Sequence, residues 1–219
     1  MLNIGNVFIL GDSYSTFDGY IPEGYDPWYS SPQWEFTDVR TVDQTWWKLL
    51  LADTESNLLL NCSWSGTTIC HTGYGGADCR GRSFVARVDR LIEEGYFETH
   101  HVDTFLVFGA TNDSWADSPI GELQYSAWTE ENLFCVLPAF CYLLNRLKIK
   151  TPGARVICVI NTELKPEITD GMKVACGNYG VEFVQLQDID KDFGHPNVRG
   201  MQKIKDQVMD YLLLSAKNE

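Results

Sequence analysis

Apolar positions follow two rhythms along the chain. Short, mostly apolar runs lie at Val7–Leu10, Leu58–Leu60, Thr104–Phe108, Arg155–Ile160 and Val181–Val184. Runs this short and continuous predict buried strands of a parallel sheet. Between them, apolar residues recur at helical spacing. One such stripe, Trp46, Trp47, Leu49 and Leu50, follows a capping residue at Asp43. A second, Phe84, Val85, Val88, Leu91 and Ile92, follows Ser83. A third begins after Thr129 and runs through Leu133, Val136, Leu137, Phe140, Leu144 and Leu147. Pro138 lies inside that stretch and predicts a kink. A helix over Ile168 to Tyr179 should stop at Gly180, and a last one carries Met201, Ile204, Val208, Tyr211 and Leu212. Strands alternating with helices predict an α/β fold: a three-layer sandwich with a central five-stranded parallel sheet and right-handed crossovers.

Three stretches break both rhythms. Thr16 to Arg40 holds Gly19, Pro22, Gly24, Pro27 and Pro32, which exclude a long helix, and it is crowded with aromatic residues. His71 to Gly81 is rich in glycine and predicts a flexible loop. Trp115 to Trp128 predicts a surface loop. No repeat, linker or low-complexity tract divides the chain, so residues 1–219 are expected to form a single domain.

Composition narrows the class of partner. Charged residues make up 21% of the 219 positions and apolar ones 44%, as in a globular protein. The formal charge of −13 argues against a nucleic-acid partner, which needs clustered Lys and Arg, and against an anionic membrane surface. No stretch of about 20 apolar residues is present to span a membrane, and no secretory signal pattern opens the chain, so the cytoplasm is the expected location. The seven cysteines include no C-x-x-C pair and predict reduced thiols; Cys70 and Cys79, flanking the glycine-rich loop, are the one pair placed to join. The glycines from Gly73 to Gly81 lack the spacing of a phosphate cradle, and His100-His101 lacks a third metal ligand. Neither a cofactor nor a metal is expected.

Chemistry concentrates where the first strand ends. Gly11 terminates it, and Asp12 and Ser13 follow at the carboxyl end, where open α/β sheets bind ligands. A serine there is placed to be a nucleophile if a base activates it. Near the other end of the chain, Asp192-Phe193-Gly194-His195 sets an aspartate three residues before a histidine, close enough to meet across one turn and hold the imidazole. Asn61-Cys62-Ser63-Trp64-Ser65-Gly66 follows the second strand, and Phe108-Gly109-Ala110-Thr111-Asn112-Asp113 the third.

Together and in this order, the four segments resemble the SGNH hydrolases, or GDSL-type esterases and lipases. The resemblance covers nearly the whole chain in block order and spacing. It implies a flavodoxin-like fold and serine ester hydrolysis with Ser13 as nucleophile, His195 as general base and Asp192 as the residue orienting it. It also implies an oxyanion hole from the backbone N–H groups of Ser13 and Gly66 and the side-chain amide of Asn112. Two positions depart from the family pattern: Tyr14 stands for the usual leucine, and Ala110 for the usual glycine two residues before Asn112. Asp12 and Asp113 are expected to hydrogen-bond loop backbone.

The same nucleophile would serve an acyltransferase or thioesterase, and a non-catalytic carbohydrate-binding relative could keep the fold. The complete Ser13, Asp192 and His195 set speaks against the non-catalytic relative, and a serine ester hydrolase is the leading expectation. Tyr14, Trp28, Tyr29 and Trp34 mix with carboxylates and amides beside the nucleophile, an arrangement that suits a sugar ring, apolar on its faces and hydroxylated at its edge. The expected partner is a small-molecule ester with a short acyl group, an acetylated carbohydrate above all. The sequence leaves the oligomeric state open.

Overall fold

The computed structural model describes residues 2–30 and 35–217. Trp34, one of the four expected substrate contacts, lies outside them. In chain order the strands are β1 (Asn6–Gly11), β2 (Asn57–Ser63), β3 (Thr104–Gly109), β4 (Arg155–Ile160) and β5 (Glu182–Gln185), followed by the short pair β6 (Lys191–Asp192) and β7 (His195–Pro196). The helices are α1 (Trp46–Asp53), α2 (Phe84–Glu93), α3 (Tyr96–Thr99), α4 (Thr111–Trp115), α5 (Val136–Lys150), α6 (Pro166–Tyr179) and α7 (Val198–Ser215).

The five long strands form one sheet in the order β2-β1-β3-β4-β5, and every neighbouring pair is parallel. The inner strands are continuous apolar runs because both of their faces are covered. Phe8, Leu10, Phe105, Val107, Val156 and Cys158 point to one face, against the stripes of α2, α5 and α6. Val7, Ile9, Leu106, Phe108, Ile157 and Val159 point to the other, against α1 and α7. Trp46 and Trp47 on α1 and Met201, Ile204, Val208 and Leu212 on α7 are fully buried there. The three predicted layers are present.

This strand order places the reversal between β1 and β3, whose following segments run to opposite faces and leave a crevice outside their carboxyl ends. Ser13 follows β1 and Asn112 follows β3, so the topology delivers both to that crevice.

Three local expectations change. Asp43 does not cap α1. It lies in a 3-10 turn, Val42–Gln44, closed by a Thr41/Gln44 capping box, and Thr45 takes the N-cap position before α1. Thr129 does not start α5 either. Glu131–Phe134 is a separate 3-10 turn, and α5 begins at Val136, with Cys135 in extended conformation before it. Pro138 therefore falls in the first turn, where its missing N–H has no helical acceptor to lose, and the reason for a kink disappears. The His71–Gly81 loop is closed by a 3-10 turn, Tyr74–Gly76, and a bridge between Thr72 and Asp78. All seven cysteines are free, Cys70 and Cys79 included. No helix among the described residues is long and apolar enough to cross a membrane.

Candidate active site

Gly11 ends β1 at a point of close approach. A Cβ there would lie 2.5 Å from Ser63 Oγ and 2.7 Å from Ser15 Cβ. The chain then tightens into a 3-10 turn, Ser13–Ser15, whose cap is Asp12: its Oδ1 accepts the Tyr14 N–H at 3.0 Å. Asp12 is fully buried, and burial pushes its carboxyl up to about 7. Asp113 plays the matching part on the next loop, accepting the N–H groups of Ile69 and Cys70, and burial raises it to about 6. Both aspartates hold backbone, as the sequence led us to expect. Beneath the loops the buried Arg87 donates to the carbonyls of Gly11 and Cys62 and to Thr67 Oγ1, tying the ends of β1 and β2 to the loop after Gly66.

Ser13 Oγ lies 2.9 Å from Nε2 of His195, a residue 182 positions away. The histidine stands on a hairpin. Phe193 and Gly194 form its two-residue loop, with φ of 47° and 80°, so both occupy the left-handed region as in a type I′ turn. Glycine accepts that conformation freely; Phe193 holds it at a cost and turns its carbonyl toward the imidazole. That carbonyl lies 3.2 Å from His195 Nδ1. The contact sets the tautomer: Nδ1 carries the proton and donates it to the carbonyl, leaving Nε2 free to accept from Ser13.

This arrangement corrects the role expected of Asp192. The residue pairs with His195 across the hairpin backbone. Its side chain is exposed, however, and makes no hydrogen bond to the imidazole among the described residues. The three-residue spacing spans a hairpin end, not a helical turn. Burial pushes the His195 imidazole down to about 4, against the opposing Phe193 contact and assisted by the nearby positive charge of Lys191.

Two of the expected substrate contacts are likewise wall and not pocket. Tyr14 is fully buried and its hydroxyl donates to the Gly194 carbonyl at 2.6 Å. Tyr29 is fully buried and donates to the Pro196 carbonyl at 2.8 Å. The two tyrosines thus grip the carbonyls on either side of His195. Trp28 is half-buried and lies flat on the imidazole, ring centroids 3.6 Å apart and planes 9° apart.

The three groups expected to bind an oxyanion lie on the loops after β1, β2 and β3. Neither the Ser13 nor the Gly66 N–H has a partner among the described residues, and Gly66 adopts a φ of 70°. Asn112 Nδ2 donates to the Thr67 carbonyl at 3.0 Å, while its Oδ1 accepts from the Tyr74 hydroxyl at 2.8 Å. A carbonyl can only accept, so this pair of contacts fixes which end of the amide is nitrogen and leaves its second N–H available. Ala110 takes a φ of 73°, which explains why glycine is usual at that position and shows that alanine still allows the turn into α4.

Sequence reasoning missed Tyr74 and Trp115. Tyr74 was hidden in a glycine-rich loop with no periodicity. Trp115 ends α4, is 44% exposed, and packs against His195 in a T-shaped pair, 5.8 Å between centroids. Beyond Lys191, which bonds Thr162 and Glu163, a polar cleft of about 750 Å³ opens at the ends of β4 and β5, lined by Glu163, Thr169, Lys173, Gln187 and Asp188 among others. It does not include Ser13 or His195. Among the described residues, no group of His, Cys, Asp and Glu has the makings of a metal site.

A serine hydroxyl on a neutral, correctly oriented imidazole, with free N–H donors beside it, is an acyl-transfer arrangement. The chain is also similar to known proteins in sequence and fold. The sequence profile of a family described as GDSL-like Lipase/Acylhydrolase matches residues 5–212. A crystal structure from Bacteroides uniformis ATCC 8492, described as a GDSL-like lipase, is 45% identical with a TM-score of 0.87, covering 94% of this chain and 95% of its own. Another so described, from Bacteroides ovatus ATCC 8483, is 38% identical with a TM-score of 0.89, covering 96% and 98%. An acetyl xylan esterase from the rumen bacterium Butyrivibrio proteoclasticus shares the fold at 17% identity, with a TM-score of 0.61 over 99% of this chain and 66% of its own. No curated protein sequence matches the chain.

Proposed function

The chain belongs to the GDSL-like lipase/acylhydrolase family and is a carboxylic ester hydrolase, and we propose that it removes short acyl groups, acetyl first among them, from a carbohydrate, using Ser13 and His195 with the Phe193 carbonyl in place of a triad carboxylate. The observation that carries this reading is the 2.9 Å contact between Ser13 Oγ and His195 Nε2.

Ser13 attacks the ester carbonyl as His195 Nε2 takes its proton. The tetrahedral oxyanion forms against the N–H groups of Ser13 and Gly66 and the free N–H of Asn112. Losing one such donor costs about 3–4 kcal/mol of barrier. His195 then returns the proton to the leaving alcohol, and water repeats the sequence to release the acid. The Phe193 carbonyl holds the imidazole tautomer but brings no full negative charge.

A short acyl group suits the crowding of rings beside the nucleophile: Tyr14, Trp28 and Trp115 all pack against His195. Trp115, exposed beside the histidine, offers a flat apolar face to a sugar ring. The acidic rim of the neighbouring cleft, with Glu163, Asp170 and Asp188, suits hydroxyl groups and disfavours anionic leaving groups. The fold shared with the acetyl xylan esterase is consistent with such a substrate. The test is a comparison of acetyl, butyryl and octanoyl aryl esters, followed by acetylated xylo- and cello-oligosaccharides with the unaltered chain and Trp115→Ala. Acetyl esters should be preferred, and the variant should raise KM for the sugars but not for the small aryl acetate. Preference for octanoyl esters overturns the short-acyl assignment, and an unchanged KM overturns the role of Trp115.

A further inference from the structure

We propose that Trp28 takes over the task a carboxylate performs in other serine hydrolases: its indole face supports the positive charge that His195 acquires during the reaction. This rests on the ester-hydrolase reading of Ser13 and His195.

The need follows from the surroundings of the imidazole. When the Ser13 proton moves to Nε2, the ring becomes a cation. Among the described residues its Nδ1 meets only the neutral Phe193 carbonyl, at 3.2 Å. The Asp192 side chain turns to solvent. The other groups facing the ring are the aromatic faces and edges of Tyr14 and Trp115, and the like charge of Lys191. Among the described residues no anion touches it. A buried cation without a partner is costly.

Among the described residues, Trp28 is the group placed to offset that cost across the whole ring. The planes are 9° apart with centroids at 3.6 Å, so the indole covers the imidazole face to face. The negative face of an aromatic ring attracts a cation, indole most strongly of the natural side chains, and more so when water is excluded. The position is held from the backbone: the Trp28 N–H donates to Thr16 Oγ1 at 2.8 Å, and the next residue, Tyr29, anchors the loop to Pro196. The charge exists only between proton uptake from Ser13 and its return to the leaving oxygen. An interaction with that charge therefore lowers the barrier without strengthening substrate binding. Trp28 is on these grounds a positioning residue that acts through His195.

Substituting Trp28 by mono-, di-, tri- and tetrafluorotryptophan, introduced at this one position, weakens the face of the ring while keeping its shape. With an aryl acetate as substrate, kcat should fall stepwise with each fluorine, reaching about tenfold for the tetrafluoro form, while KM stays level. Trp28→Phe should retain more turnover than Trp28→Leu. An active enzyme whose kcat does not respond to fluorination overturns this proposal and leaves the esterase reading intact. A native chain inert toward aryl acetates, or one whose turnover survives His195→Ala, overturns both.

Discussion

The Tyr29 hydroxyl donates to the Pro196 carbonyl at 2.8 Å, across 167 residues of sequence, and so ties the loop after the nucleophile to the hairpin that carries His195. Tyr14, from the other side, holds Gly194. Removing the Tyr29 hydroxyl alone leaves a buried carbonyl unpaired and frees one side of the hairpin, a loss of about 1–3 kcal/mol. Tyr29→Phe should lower the thermal midpoint by several degrees and reduce kcat more than it changes KM, because the imidazole loses alignment and not substrate contact. A variant with native midpoint and native kcat would show that the hairpin does not depend on this bond.

Asp192 lies opposite His195 in the hairpin but leaves its carboxylate in solvent. Asp192→Asn should therefore keep kcat/KM within about threefold of the unaltered chain. Loss of a working triad aspartate costs about ten-thousandfold in a well-known serine protease. Steady-state kinetics separate the two by orders of magnitude.

His195 must be neutral to accept the Ser13 proton. Burial holds its imidazole down, to about 4, so protonation should inhibit only in acid. The sign is unambiguous: kcat/KM should rise with pH through an apparent pKa near 4 and be level by about pH 6. An acid limb centred at 6–7, the ordinary range of histidine, contradicts the buried setting of this ring.

Tyr74 holds the Asn112 amide, the proposed oxyanion donor, by its oxygen, from a half-exposed position on a loop where Gly75 and Gly76 both take positive φ. In Tyr74→Phe the Asn112 amide keeps only its contact with Thr67, and kcat should fall about tenfold with little change in stability. Asn112→Ala, which removes the donor itself, should cost about 100- to 1,000-fold. Equal losses in both variants would mean that Tyr74 does more than orient the amide.

These residues also show what a sequence can reveal. The sheet was legible because each inner strand is an uninterrupted apolar run, and Ser13, Gly66 and Asn112 each follow such a run. Asp192 misled because its spacing from His195 fits a helical turn as well as a hairpin. The Phe193-Gly194 pair, with glycine in the second turn position, was the signal for the hairpin. Tyr14 read as a substrate contact because it directly follows the nucleophile, and Tyr29 because it sits in an irregular aromatic loop. Their burial comes from the hairpin of Phe193 to Pro196, far away in sequence, and no local pattern announces it. Tyr74 and Trp115 escaped notice for the same reason: their roles depend on where irregular loops travel, and those paths carry no periodicity.

The central claim is that Ser13 becomes acylated by way of His195. Mass spectrometry of the protein quenched in acid during turnover of an aryl acetate tests it directly. The expected result is one acetyl group on the peptide containing Ser13, absent in Ser13→Ala and strongly diminished in His195→Ala. Continued turnover by Ser13→Ala, or an acetyl group carried on any other residue, would contradict the account.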